Sequence, residues 1–287
     1  MEEHEWIAVR VRVRDIMAED VAYVTVPGTR EDAMEILKRD GISGVPVVKD
    51  ERVVGVVTRH DLLRNPREEQ IALLMTRNPI VINQDATIAE AAKIIYSSTI
   101  RRLPVVDGSK LVGVVTVGDF IREISSWDDK TSIDSHIGDK TIFLWEGMPL
   151  PVACRLMEFA RVRAVPVLNS SFTVVGMITD QDLINVAIIE EGMGSLDVSL
   201  GSDEDEWSLE GLRDTMKLHY GISQITLPDK LVKDVMVKKV VTATRKSGVS
   251  ACAQKMCEGR FNQLPVISAR GKLLGMLIDK DLLSILL

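Results

Sequence analysis

The chain has 287 residues, 46% of them hydrophobic, 27% charged and only 4% aromatic, with a net charge of −7. Such a composition buries a core and stays soluble, and with so few aromatics the core must be Val, Ile, Leu and Ala, as suits sheets packed under helices. The acidic start, Met1-Glu-Glu-His-Glu-Trp6, and the lack of any run near the roughly 18–20 apolar residues of a membrane helix argue for a cytoplasmic protein with no membrane association.

Cys154, Cys252 and Cys257 lack metal-type spacing and read as reduced thiols. Between Ala187 and Leu212 stand eight acids and no Lys or Arg. The rest of the chain is therefore within one charge of neutral, which argues against a nucleic-acid binder, since that needs a basic face.

Four prolines set in short apolar runs, Pro46, Pro104, Pro166 and Pro265, mark an internal repeat. Met17, Met75 and Met236 each precede a proline by 29 residues, and Ile137 stands there in the third copy. Gly55, Gly113, Gly176 and Gly275 follow the prolines by 9 or 10 residues, and Asp61, Asp119, Asp182 and Asp281 follow the glycines by 6. An N-terminal arm over 1–12 is followed by repeats over 13–68, 69–130 and 131–188, an acidic insertion over 189–229, and a fourth repeat over 230–287.

Each repeat reads in the same order. A short β segment comes first, as at Val24–Val26 or Ile80–Ile82. A helix follows, opened by a capping pattern: Thr29-Arg-Glu-Asp32 in the first copy, Thr87-Ile-Ala-Glu90 in the second. Two apolar runs then form a hairpin, as Val45–Val48 and Val53–Val57 around Lys49-Asp-Glu-Arg52. A last helix begins near each Asp. The insertion reads as a loop through Gly192, Gly194, Ser195, Gly201, Ser202 and the run Asp203–Glu206, with a short helix over Leu209–Leu218 that either docks, with Trp207, on the body or a partner or stands as a solvated linker. The fold class is α/β of the α+β kind: four tandem β-α-β-β-α units that must pair to cover their sheet faces.

The start Asp15-Ile-Met17, the core Leu103-Pro-Val-Val106 and the runs Gly55–Asp61 and Gly113–Asp119, which read Gly-Val-Val-Thr-x-x-Asp, resemble the CBS (cystathionine β-synthase-type) domain family. The resemblance covers all but the arm and the insertion. It implies two pseudo-symmetric pairs with clefts between the paired repeats, and a flat disc as one assembly, as in the four-repeat gamma subunit of AMP-activated protein kinase. Whether the two pairs meet within one chain or in a homodimer stays open.

Thr58-x-x-Asp61, Thr116-x-x-Asp119 and Thr179-x-x-Asp182 read first as helix caps. The resemblance adds ribose recognition, a carboxylate accepting from two vicinal hydroxyls with the Thr in support. The fourth copy keeps Asp281 but has Ile278 in place of the Thr, so its site is expected to be the weakest. By the same resemblance the two residues before the Leu or Val that precedes each Pro meet phosphates. Arg101 and Arg102 stand there in the second copy, Arg163 in the third, Ser43-Gly44 in the first, and Asn262 with Gln263 in the fourth. Adjacent on a strand, Arg101 and Arg102 start toward opposite faces. The resemblance puts the adenine base against apolar residues at the repeat starts: Met17 and Ala22, Met75 and Ile80, Ile142, and Met236 and Val241. Each of these also reads as a core residue, and Trp145 would either crowd that slot or stack on the base.

There is no phosphate-binding Gly-rich loop, zinc-protease helix or nucleophile elbow, and His4, His60, His136 and His219 lack ligand spacing. No catalysis, metal or catalytic cofactor is expected. The expected function is regulatory: AMP, ADP or ATP bound between paired repeats, with occupancy read by a protein partner. S-adenosylmethionine or another adenosine ligand is the alternative, and an assembly module with empty clefts is the third reading.

Overall fold

The computed structural model describes residues 8–65, 68–138, 141–186, 188–197 and 217–287. The chain forms two compact units. The first comprises Met1–Thr141, Val241–Ala269 and Leu274–Leu287, and the second Ile142–Val240 with Arg270–Leu273.

In the first unit, repeats one and two build a single seven-stranded sheet. Val24–Thr25 runs parallel to Gly44–Lys49, which pairs antiparallel with Arg52–Thr58. Repeat two copies this with Ile82–Asn83, Arg102–Asp107 and Lys110–Thr116, down to the same register shift in mid-hairpin. The charged hairpin turn has a physical basis: Asp50 and Glu51 both take positive φ, 49° and 63°, the twist that a two-residue turn between antiparallel strands requires. The expected helices form as Arg30–Arg39 and Ile88–Ser97, each started by its Thr-led capping box.

The two repeats hold each other through their glycines. A Cβ built on Gly113 would lie 2.5 Å from the Met17 sulfur and 2.9 Å from the Ala18 carbonyl oxygen, and one on Gly55 would lie 2.4 Å from the Met75 sulfur. Each methionine at a repeat start thus packs on the strand glycine of the other repeat. Backbone pairing accompanies it, Ala18 with Val114 and Gly55 with Arg77.

The fourth repeat's share of the first unit packs on the second repeat. Val249–Gly259 lies against Val117–Ser125, and the 3-10 segment Asp279–Leu286 against Ile88–Ser97. Ile88, Ile95, Phe120, Ile124, Cys252, Leu264, Leu277 and Leu282 share one core. Ile137 takes the methionine's place beneath Gly275, where an added Cβ would come within 2.4 Å of its methyl.

The second unit holds the third repeat from Ile142 on: Leu144–Trp145 parallel to Ala164–Leu168, which pairs with Val174–Thr179. Met236 sits under Gly176, and Met177 pairs with Val237. The insertion departs from expectation. Ile188–Asp197 and Lys217–Thr226 form an antiparallel ribbon, so Gly192, Gly194 and Ser195 lie in a strand and Lys217 and Leu218 are not helical. Ile188, Ile189, Tyr220, Ile222, Ile225 and Thr226 give the flanks a β preference that outweighs the turn-formers between them. Trp207 and the expected helical positions 209–216 lie outside the described residues, as do Gly201, Ser202 and the run Asp203–Glu206.

Overpacking a close contact costs about 1–3 kcal/mol, and a backbone oxygen yields less than a flexible side chain. Gly113→Ala is therefore expected to lower the melting temperature more than Gly55→Ala, and Met75→Ala to restore part of the loss in Gly55→Ala. Thermal denaturation of the three variants checks the order.

Candidate functional site

The Asp at each helix start is fixed by its own turn. Thr58 donates to Asp61 Oδ2 twice, from its backbone N–H at 2.8 Å and its hydroxyl at 2.6 Å. Thr116 holds Asp119 Oδ2 the same way at 2.8 and 2.7 Å, and Thr179 holds Asp182 Oδ2 at 2.8 and 2.7 Å. The Thr58 and Thr179 hydroxyls also accept the Asp N–H, at 3.3 and 3.2 Å, as helix caps do, whereas the Thr116 hydroxyl makes no such bond. Each of these turns consumes one carboxylate oxygen. Asp119 gives its other oxygen to Arg122 Nη1 at 3.0 Å. The remaining oxygens of Asp61 and Asp182 have no side-chain or backbone donor among the described contacts, and they keep the lone pairs that a vicinal diol would use.

The fourth copy is looser. Asp281 receives only the Ile278 N–H, at 3.3 Å, and burial pushes its carboxyl up, with the nearby Asp279 adding to the rise. His136, half-buried, places Nδ1 2.8 Å from the Ser284 hydroxyl, whose proton goes to the Asp281 carbonyl oxygen at 2.5 Å. The ring therefore donates to that hydroxyl and is not arranged to take a proton from it.

Arg101 and Arg102 part to different neighbours. Arg102 crosses to repeat one, donating to the Gly44 carbonyl at 2.6 Å and to the Ser43 hydroxyl. Ser43 and Gly44 are the positions in repeat one that Arg101 and Arg102 occupy in repeat two, and a Cβ on Gly44 would lie 3.2 Å from Arg102 Nη1. Burial, then repulsion from Arg101 and Arg59, pulls the Arg102 guanidinium below its ordinary value. Arg101 pairs with Asp279 of repeat four, Nη2 to Oδ2 at 2.5 Å. Burial pushes the Asp279 carboxyl up, and Arg101 opposes that rise. Lys280 donates to the Ser98 carbonyl, and burial followed by repulsion from Arg101 lowers its ammonium. Arg102 is thus repelled by Arg101 and Arg59, and Lys280 by Arg101, with Asp279 and Asp281 opposing the effect on Lys280. In the second unit Arg163 meets Asp180 of its own repeat, at 2.8 Å, with its side chain 84% exposed. Asn262 is exposed, and its carbonyl accepts the Asp279 N–H at 2.8 Å.

The residues expected around the base divide by role. Met17, Met75 and Met236 are the glycine contacts described above. Ile80, Ile142 and Val241 are 51%, 38% and 44% exposed, large apolar side chains left open at one position of three repeats, and Ala22 at that position in repeat one is half-buried. Trp145 is exposed, its ring lying over Gly147.

The sequence reading missed Arg59, Asp279 and Lys280. A signal for two of them was present. The residue after Thr58, Thr116, Thr179 and Ile278 is Arg59, Val117, Asp180 and Asp279, and its N–H always bonds the carbonyl three residues before the proline, that of Ser43, Arg101, Arg163 and Asn262. In three of the four copies that residue is charged, Val117 being the exception, so a charge stands beside Ser43, Arg163 and Asn262.

A family model described as the CBS domain matches residues 13–68, 69–126, 136–188 and 232–287. YlbB of Bacillus subtilis, an uncharacterized protein, is 33% identical over 116 residues, 38% of this chain and 78% of that one. MJ1225 of Methanocaldococcus jannaschii is 27% identical over 196 residues, 62% of this chain and 70% of its own. Its crystal structure, titled as a candidate archaeal homologue of g-AMPK, shares the fold at a TM-score of 0.65 and 24% identity, covering 96% of this chain and 99% of that one. A conserved protein from Pyrococcus horikoshii superposes at a TM-score of 0.70 and 27% identity, covering 96% and 100%. Among the described residues no helix is long and apolar enough to cross a membrane.

Two outcomes are expected of these groups. Thr58→Val removes a cap hydroxyl that accepts the Asp61 N–H at 3.3 Å and should cost about 0.5–2 kcal/mol of stability, read by urea denaturation. Burial depresses His136, with Asp281 and Asp129 partly offsetting it. A depressed imidazole gives stability that is present above its ordinary value of about 6.5 and is lost as pH falls through the lower, folded-state value. His136→Gln should flatten the fall in melting temperature between about pH 7 and pH 5. The raised carboxyls of Asp279 and Asp281 act with the opposite sign, stabilising at low pH and losing that contribution as pH rises through their folded values.

Proposed function

The chain belongs to the CBS-domain family, and from that we propose that it is a regulatory sensor binding AMP, ADP or ATP between paired repeats and passing occupancy to a protein partner through the angle between repeats. What supports this reading is the presence in one unit of a cap-fixed carboxylate with an open oxygen, Asp61, and of neighbouring cations, Arg59, Arg101, Arg102 and Lys280, of which Arg102 is bonded only to the Gly44 carbonyl and the Ser43 hydroxyl. Like charges held together favour an anion between them. On this reading Asp61, Asp119 and Asp182 take ribose hydroxyls with Thr58, Thr116 and Thr179 in support, and Asp281 binds weakest. Ala22, Ile80, Ile142 and Val241 cover the base, with Met17, Met75 and Met236 behind them. Arg101 and Arg102 take phosphates in the first unit, Arg163 serves the third repeat, and Asn262 offers the fourth repeat no positive charge. The ligand shifts the equilibrium between repeat arrangements only by binding one better than the other. A second reading, S-adenosylmethionine or another adenosine ligand without phosphates, is favoured by one observation: Arg101 already has a counter-ion in Asp279.

Calorimetry with adenosine, AMP, ATP and S-adenosylmethionine tests both. Arg102→Ala is expected to cost about 2–4 kcal/mol of ATP affinity, roughly 30- to 1000-fold, as two charge-assisted bonds suggest, and to leave adenosine nearly unchanged. Asp61→Ala should weaken every ligand at that site by a similar factor. Equal losses of adenosine and ATP in Arg102→Ala would make the arginine structural and favour the second reading.

A further inference from the structure

Asp279 stands outside the Thr–Asp boxes. Its side chain is 7% exposed, while that of Arg101, 2.5 Å away, is 43% exposed. Its Oδ1 accepts the Lys280 N–H at 2.7 Å. A carboxylate fixed in the interior therefore holds one edge of a guanidinium whose other donors reach solvent. The oxygens of a carboxylate and of a phosphate present the same face to an arginine. We propose that Asp279 is an internal competitor for the ligand's phosphates: Arg101 serves either Asp279 or a bound anion, so filling the anion site loosens Asp279–Leu286 from repeat two.

This rests on the phosphate part of the proposed function and concerns its regulation. Asp279 opens a segment whose Leu282, Leu283 and Leu286 are buried in the core shared with Ile88, Ile95 and Phe120. Drawing Arg101 away leaves a buried carboxylate short of its partner, a costly state, and the cost falls on the docked form of that segment. Coupling is reciprocal, so anything that loosens the segment frees Arg101 and tightens the anion. Among the described residues Arg102 has no such competitor: its partners, the Gly44 carbonyl and the Ser43 hydroxyl, carry no charge. The two adjacent arginines thus divide the work, Arg102 as a standing cation and Arg101 as the one that switches.

Calorimetry with inorganic tripolyphosphate, ATP and adenosine on the full chain and on Asp279→Asn tests the proposal. If the pair is closed about 90–99% of the time, the substitution tightens tripolyphosphate and ATP about 10- to 100-fold. The gain disappears when Arg101→Gln is added, and adenosine affinity does not move. Equal tripolyphosphate affinity for the two proteins, binding to neither, or a gain that survives Arg101→Gln overturns it. A tripolyphosphate gain with no binding of adenosine or ATP by either protein upholds the competitor and removes the adenosine part of the proposed function. If Asp279→Asn does not fold, amide exchange on the unaltered chain decides: saturating tripolyphosphate speeds exchange across 279–286, and unchanged or slower exchange overturns the proposal.

Discussion

Met17 on Gly113 and Met75 on Gly55 fix the first two repeats against each other, because neither glycine has room for a Cβ while the methionine is in place. Each glycine lies three residues before the Thr that caps the next helix, and each methionine five residues before the position of Ala22 or Ile80. One contact per repeat therefore sets the strand end that presents Asp61 or Asp119 against the chain start that presents an apolar surface. The methionine's flexible, polarisable side chain suits a contact that must fit closely without being rigid. Ile137 on Gly275 and Met236 on Gly176 repeat the device with one change of side chain. On the proposed reading, the ribose and base ends of the candidate site are thus two consequences of the same packing.

Much of this was legible before any coordinates. Four anchors in register named the repeat, and the Thr-x-x-Asp and Thr-x-x-Glu spacings named the caps, because a cap is a contact within one turn and needs only local sequence. The hairpin between Lys49 and Arg52 was legible for the same reason. What escaped was tertiary. Nothing near Arg101 announces a carboxylate 178 positions away, and nothing in Ser43-Gly44 shows that the missing side chain makes space for Arg102. The two flanks of the insertion departed from the loop and helix expected there because their glycines and acids suggest a loop, whereas register pairing between Ile188–Asp197 and Lys217–Thr226 is a property of both flanks together.

Electrostatics gives the first unit its character. Arg59, Arg101, Arg102 and Lys280 come from repeats one, two and four, so the charge cluster exists only when those repeats are assembled. Its internal partners are a mixed set: neutral carbonyls for Arg59, Arg102 and Lys280, and a buried carboxylate for Arg101. A neutral acceptor leaves the charge of its cation available to an incoming anion, whereas a carboxylate cancels it. Arg59 and Arg102 thus bond only neutral acceptors among the described contacts, whereas Asp279 pairs with Arg101 and acts, with Asp281, on Lys280.

The central claim, that repeats locked through glycine build sites for an adenosine ligand, is tested most directly by native mass spectrometry of the full chain as purified and after addition of AMP or ATP. The account predicts discrete mass increments of an adenosine-bearing ligand, fewer in number when Asp61 is replaced by Ala. A bare polypeptide mass under every condition, or increments that do not respond to Asp61→Ala, Asp119→Ala or Asp182→Ala, would contradict it.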